Sequence, residues 1–299
     1  MRGLKVYTAA AVAASLAAAS AATLDQRAAG LPQGAGFPLA AEGTLKPRAD
    51  GIPNFAAVDY GWYEVGDDFL PPDSGPGPIF ADPKHPYRSN QSGDPTYRVA
   101  DTSNPILQPW VRQSLEKANA RVLAGGIPYN PRERCWPAGV PAFTVYTRVR
   151  PVYIVQGAKD VLLINEGDAQ TRHVYLNVPH SMNPKPSWYG ESVGHYEGHD
   201  TLVVDTIAIS DKTFVDNYLT PHTKALHVVE RYTLVPDGRT MEVKVDVEDP
   251  GAFTTKWSAR QTYRLRLQGE VDESPCAENH TNFFSLGVAP IPEAKTADF

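Results

Sequence analysis

The sequence is short of several features, and each shortage removes a class of protein. It has no excess of positive charge, because its formal net charge is -6, so nucleic acid is not an expected partner. It has no P-loop, no G-x-G-x-x-G loop and no G-x-S-x-G elbow, which argues against NTPases, dinucleotide enzymes and α/β-hydrolases. Hydrophobic residues make up 42% and charged residues 21%, as in ordinary globular proteins, which excludes a disordered chain, a coiled coil and a multi-span membrane protein.

Proline, in contrast, is abundant. The chain of 299 residues contains 27 prolines, nearly double the usual share of about 5%. A proline inside a helix removes a hydrogen bond, so an architecture of long helices is disfavoured. We therefore expect a protein that is mainly β.

The N-terminus has the composition of a secretory signal peptide. Arg2 and Lys5 precede an almost uncharged run, Val6–Ala22, which ends in the small residues that a signal peptidase recognises. We expect residues 1–22 to be removed and the protein to be exported to the periplasm or the extracellular space. The alternative is an N-terminal membrane anchor, which the short, alanine-rich run disfavours.

The rest of the chain divides by composition into three parts. Residues 23–58 are predicted to be a poorly ordered lead-in. Residues 59–280 are predicted to form a single β-rich domain, which opens with a proline- and aromatic-rich arm and one α-helix near 106–124. Residues 281–299 are a predicted tail.

After the helix the hydrophobic period changes to two, which predicts about eight strands. The strands are predicted at 151–156, 160–165, 171–178, 191–197, 201–209, 226–235, 240–248 and 258–267. Met241 and Val243 point to one side of their strand, and Glu242 and Lys244 to the other, as in an antiparallel sheet with one wet face. Short connections favour a single antiparallel sheet bent into a calycin- or lipocalin-like barrel. A two-sheet β-sandwich is the alternative.

The chain has 2 cysteines, Cys135 and Cys276. An even count in an exported protein favours a disulfide between them. Two buried thiols are the alternative, and a nucleophilic cysteine is disfavoured because the sequence identifies no neighbour that would stabilise a thiolate.

Histidine and acidic residues concentrate between positions 180 and 227, which predicts a polar site. Asp205 stands in an otherwise apolar strand, and a desolvated carboxylate has a raised pKa that suits acid/base chemistry. The alternative is a structural pair with an arginine of a neighbouring strand, such as Arg231. The candidate catalytic residues are Asp205, His195, Glu197, His222 and His227.

Three aromatic residues are candidates for ligand contacts. Trp188, Tyr196 and Trp257 would line a cavity and stack on an apolar or sugar-like molecule. The alternative is packing in the core or at the mouth of the barrel.

The leading hypothesis is an exported pocket protein that acts on a small organic molecule as a cofactor-free acid/base enzyme. The alternatives are a small-molecule carrier without catalysis, a metal enzyme with histidine ligands, and a structural envelope protein. The chain has no H-E-x-x-H or C-x-x-C motif, so no metal ligands are assigned. Insertion into a membrane is not expected, because alternate residues of the strands are charged on one side. The oligomeric state is left open.

Several motifs carry a family resemblance over roughly residues 60–280. They are Cys135–Pro141, Pro186–Gly198, Leu202–Thr206, Leu226–Arg231, Glu248–Trp257 and Cys276–Asn279. Together they resemble a large family of exported bacterial proteins with no assigned activity. The resemblance implies export, a single domain and two cysteines that belong to the family pattern. The family turn reads Glu-Gly-Asp-Thr-Leu, whereas here His199 is inserted, which makes His199 a poor candidate for a shared ligand.

Overall fold

The computed structural model describes residues 48, 50–56, 60–87, 98–126, 135–145, 150–167 and 170–267. They contain one α-helix, α1, at Pro109–Leu123 and one turn of 3₁₀ helix at Ala142–Val145. The strands of this part are β1 Tyr60–Glu64, β2 Val152–Gln156, β3 Asp160–Asn165, β4 Gln170–Leu176, β5 Glu191–Glu197, β6 Thr201–Ile207, β7 His227–Leu234, β8 Thr240–Glu248 and β9 Trp257–Leu267.

Several sequence-based predictions lie partly or wholly outside the described residues, among them the lead-in at 23–58 and the last part of the domain at 59–280. The signal peptide at 1–22 and the tail at 281–299 are outside, and Cys276 is outside while Cys135 is inside. The signal peptide, the tail and the disulfide therefore remain predictions.

The strands form one closed barrel in which they follow one another in chain order, and β1 pairs with both β2 and β9. This confirms the prediction of a mainly β, lipocalin-like barrel and excludes the two-sheet alternative. The pairing is antiparallel except between β4 and β5, which run parallel. The exception has a geometric reason, because a ring with an odd number of strands cannot alternate in direction at every pair.

Buried and exposed side chains alternate along the barrel strands, as the sequence predicts. In β8, Met241, Val243 and Val245 are buried while Glu242 and Lys244 are exposed. The enclosed side is filled with large side chains, and Trp62 and Tyr263 are each 1% exposed. This dense packing makes the interior a core, and burial of apolar area there supplies the main stabilisation.

The two ends of the barrel differ in the length of their connections. The turns 157–159, 198–200 and 235–239 close one end, which the register of the hairpins requires. The connections 208–226 and 249–256 lie at the other end, where Trp110 of α1 donates a hydrogen bond to the carbonyl of Gly251 at 2.7 Å. Long connections on a rigid barrel are where binding groups are usually placed.

The structure differs from the prediction in where the helix begins and in the presence of a strand in the arm. The helix begins at Pro109 rather than near 106, because proline suits the first helical turn and Leu107 pairs with Phe253 instead. The arm contains a strand, β1, that the sequence pattern does not reveal. It contributes Trp62, whose indole N–H donates to the Phe55 carbonyl at 2.9 Å.

Candidate active site

Asp205 lies on the outer face of β6, not in the core. Its neighbours Leu202 and Val204 are buried, but the alternation of the strand leaves the Asp205 carboxylate half exposed. The Oδ1 atom of Asp205 accepts hydrogen bonds from His227 Nε2 at 2.8 Å and from His180 Nε2 at 3.1 Å. The bond from His227 outweighs partial burial and lowers the pKa of Asp205. The expectation of a desolvated Asp205 with a raised pKa is therefore wrong.

The suggested pair between Asp205 and Arg231 is also absent from the described residues. Arg231 Nη1 donates to Glu197 Oε2 at 2.5 Å, at the end of the barrel that carries the short turns. His195 Nε2 is 3.2 Å from Glu197 Oε1 on the same strand. His195 and Glu197 thus form an exposed cluster with Arg231, and within the described residues no hydrogen bond joins this cluster to Asp205.

His227 opens β7 and is half buried against Asp205. The hydrogen bond to Asp205 raises the pKa of His227, and the negative charges of Asp205 and Glu248 act in the same direction. Burial and the positive charge of Lys256 oppose this shift. Because Nε2 is used by Asp205, Nδ1 is the nitrogen that remains for a ligand, and it has no hydrogen-bond partner in the described part of the chain.

A cleft of about 230 Å³ opens beside His227. It lies between β7, β8, β9 and the arm, and its wall includes apolar contacts from Val229 and Pro76. Its polar and aromatic residues are Ser74, His227, Asp246, Glu248, Lys256, Trp257 and Ser258. The cleft therefore combines one titratable imidazole with apolar walls and charged neighbours, which is the composition of a small-molecule site.

The charges of the cleft are paired. Lys256 Nζ is 2.6 Å from Glu248 Oε2, and Ser258 Oγ donates to Asp246 Oδ1 at 2.5 Å. Asp246 also lies 3.3 Å from Lys244 Nζ. Glu248 is directly opposite His227 across the β7–β8 pair. These contacts leave His227 as the group of the cleft that is best placed to exchange a proton.

His180 and Glu191 join this site although the sequence analysis does not assign them to it. His180 lies in the connection from β4 to β5, and Glu191 is the first residue of β5. His180 Nδ1 is 3.0 Å from Glu191 Oε1. The only signal in the sequence is the local density of histidines, because the parallel pairing that folds this connection over β5 and β6 is not readable from periodicity.

His222 does not belong to this site. It is 3% exposed, its Nδ1 donates to the Thr223 carbonyl at 2.8 Å, and its Nε2 is 2.9 Å from Thr213 Oγ1. Burial lowers the pKa of His222, which keeps the ring neutral. His222 thus fixes the 208–226 connection, and within the described residues it makes no hydrogen bond to Asp205 or His227.

The three aromatic candidates are separated by the fold. Trp188 packs on Trp136 with ring centroids 5.4 Å apart, and the Tyr196 hydroxyl accepts a hydrogen bond from Gln156 Nε2 at 2.8 Å. Neither of them lines the cleft. Trp257 does line it, but the residue is 2% exposed, with its ring edge-on to Phe253 at 5.6 Å. Trp257 therefore forms part of the floor of the cleft and belongs to the core.

The described residues contain no group of three or more His, Cys, Asp or Glu side chains arranged to hold a metal ion. They also contain no helix long and apolar enough to cross a membrane. A scan against known protein families, a search of characterised proteins and a search of solved structures each return no match.

Proposed function

We propose that this protein is exported and acts on a small organic molecule in the cleft, as a cofactor-free enzyme that uses His227 as general acid and base. One observation carries the proposal: an imidazole held at 2.8 Å by the Asp205 carboxylate borders an open cleft with apolar walls. A histidine held by a carboxylate in this way is a recurrent means of proton transfer.

The roles follow from the geometry. Asp205 accepts a hydrogen bond from the Nε2–H of His227 and thereby favours the tautomer whose Nδ1 faces a substrate as a base. The hydrogen bond to Asp205 raises the pKa of His227 above its ordinary value, which favours the protonated form that acts as the general acid. Val229 and Pro76 offer apolar contact, while Lys256 and Ser258 offer polar contact to the substrate.

A second function, binding without catalysis, is favoured by the pairing of the other charges in the cleft. Lys256 and Glu248 neutralise each other, and so do Lys244 and Asp246. A cleft of about 230 Å³ is also smaller than the roughly 300 to 1,000 Å³ typical of drug-sized ligand pockets. A small, weakly charged molecule fits both functions.

His227→Gln is expected to lower turnover about 10²- to 10⁴-fold, because glutamine fills similar space but cannot accept and return a proton. Small ketones, esters and lactones are incubated with the mature protein in D₂O. NMR then follows exchange of carbon-bound protons and the appearance of products.

His195→Gln is the matched control, since His195 also contacts a carboxylate but lies away from the cleft. Equal activity in the wild type and both variants would remove His227 from catalysis. Binding of a probe to the wild type with no exchange of protons and no product would favour the second function.

A further inference from the structure

His180 makes an unusual pair of contacts. Its Nδ1 is 3.0 Å from Glu191 Oε1 and its Nε2 is 3.1 Å from Asp205 Oδ1, so each ring nitrogen faces a carboxylate oxygen. A neutral imidazole carries one N–H and donates one such bond, whereas the imidazolium donates both. His180 is therefore placed to form hydrogen bonds to Glu191 and Asp205 at the same time.

Glu191 is fixed independently of His180. The backbone N–H of Ser181 donates to Glu191 Oε1 at 2.7 Å, and the Ser181 hydroxyl donates to Glu191 Oε2 at 2.6 Å. Both oxygens of Glu191 are thus held by the residue next to His180 in the chain. The carboxylate acts as a rigid acceptor and aligns the imidazole ring with Asp205.

One oxygen atom, Asp205 Oδ1, receives both histidines. The Nε2 atoms of His180 and His227 must therefore lie within about 6 Å of each other, a separation at which two positive charges repel in a partly buried site. A charge on His180 consequently opposes a charge on His227, while Asp205 attracts both.

We propose that His180 is a positioning residue of this site: it holds the Asp205 carboxylate in the place that orients His227, and its charge competes with that of His227 for the same oxygen atom. The catalytic meaning of this proposal rests on the proposed function, but the coupling of the two histidines does not. The remaining charges that face His227 are Glu248 and Asp246 on β8 and Lys256 before β9.

The test is an NMR titration of histidine-labelled mature protein. In His180→Gln the amide keeps a donor for Asp205 but carries no charge, and the residues of β8 are unchanged. We expect the titration midpoint of His227 to rise by about 0.5 to 1 pH unit. His195→Gln, which removes a histidine of the other cluster, should leave that midpoint where it is.

A second variant separates the positioning of Asp205 by His180 from the effect of the His180 charge. His180→Ala removes both the donor and the charge, so Asp205 loses one of its two hydrogen bonds. We expect the nitrogen chemical shifts of His227 to report a mixture of tautomers in His180→Ala, and the Nε2–H tautomer to persist in His180→Gln. The signals of His195 and His222 check that each variant is folded.

Each outcome decides the proposal. An unchanged or lowered His227 midpoint in His180→Gln would overturn the charge coupling, and a single Nε2–H tautomer in His180→Ala would overturn the positioning role. If both effects appear while no probe molecule is turned over, the coupling stands and the acid/base function fails.

Discussion

Glu230→Leu is expected to lower the free energy of unfolding by about 3 to 5 kcal/mol, the usual cost of removing one partner of a buried ion pair. Glu230 and Arg172 are both 0% exposed inside the barrel, and Glu230 Oε2 lies 2.5 Å from Arg172 Nη2. The Tyr232 hydroxyl, which donates to Glu230 Oε1 at 3.0 Å, would lose its acceptor as well. Urea unfolding followed by tryptophan fluorescence gives the change directly.

The double variant Arg172→Met with Glu230→Leu distinguishes the cost of leaving a buried charge unpaired from the cost of altered packing. It removes both charges and replaces them with apolar groups, so much of the lost stability should return. Glu197→Leu is a comparison with the same 2.5 Å contact to an arginine, but on the exposed face. It should cost far less. Equal losses in the Glu230 single and double variants would show that packing, not the uncompensated Arg172 charge, sets the cost.

The buried pair also shows how one set of strands serves two purposes. On the inner side of β5 and β6, Ser192 Oγ and Thr206 Oγ1 accept hydrogen bonds from Arg172 Nε at 3.2 Å and Nη2 at 2.7 Å. The residues that precede them, Glu191 and Asp205, face outward and belong to the candidate site. Because successive side chains of a strand point to opposite faces, β5 and β6 each contribute to a polar cluster in the core and to a polar site on the surface.

The strands were predictable because their alternation is local. The bounds of β3, β5 and β8 agree with the structure at both ends, and the Pro236–Arg239 turn joins β7 and β8 as expected. A local pattern does not, however, say which way an isolated polar residue points. Arg172 and Glu230 lie on the inner side of their strands, although the alternation of apolar and polar residues does not predict that they are buried.

The candidate site was predictable in part. Asp205 and His227 come together because β6 and β7 are antiparallel neighbours, and strands that follow one another in the chain usually pair even when the connection between them is long. His180 reaches them through a parallel strand pair, which depends on closure of the whole ring. His195 lies on the correct face of β5, but it is nearer the other end of the barrel. Proximity in sequence thus identified the region and not the set of residues.

The other large effect concerns Asp216, in the connection between β6 and β7. Burial raises the pKa of Asp216 from 3.8 to about 6, against the opposing effect of hydrogen bonds from Thr220 and Tyr218. The folded state therefore binds a proton more tightly than the unfolded state. The resulting stabilisation is complete below about pH 3.8 and is lost as the pH rises through about 6, which amounts to about 3 kcal/mol.

Asp216→Asn should remove this loss. The asparagine oxygen keeps the bonds from the backbone N–H groups of Tyr218 and Thr220, at 2.9 and 3.1 Å, and its amide replaces the ionised oxygen beside the Thr220 hydroxyl. We expect the free energy of unfolding of the variant, relative to the wild type, to increase between pH 4 and pH 7 by about 3 kcal/mol. Urea unfolding at several pH values across this interval measures the change.

Asp205→Asn is the control of opposite sign. The pKa of Asp205 is lowered by the hydrogen bond from His227, so its ionised form stabilises the fold above its ordinary pKa of 3.8. Relative to the wild type, Asp205→Asn should lose stability as the pH rises towards 3.8, below the interval in which Asp216→Asn gains stability. A free energy of unfolding of Asp216→Asn, relative to the wild type, that does not increase between pH 4 and pH 7 would contradict the burial of an ionisable Asp216.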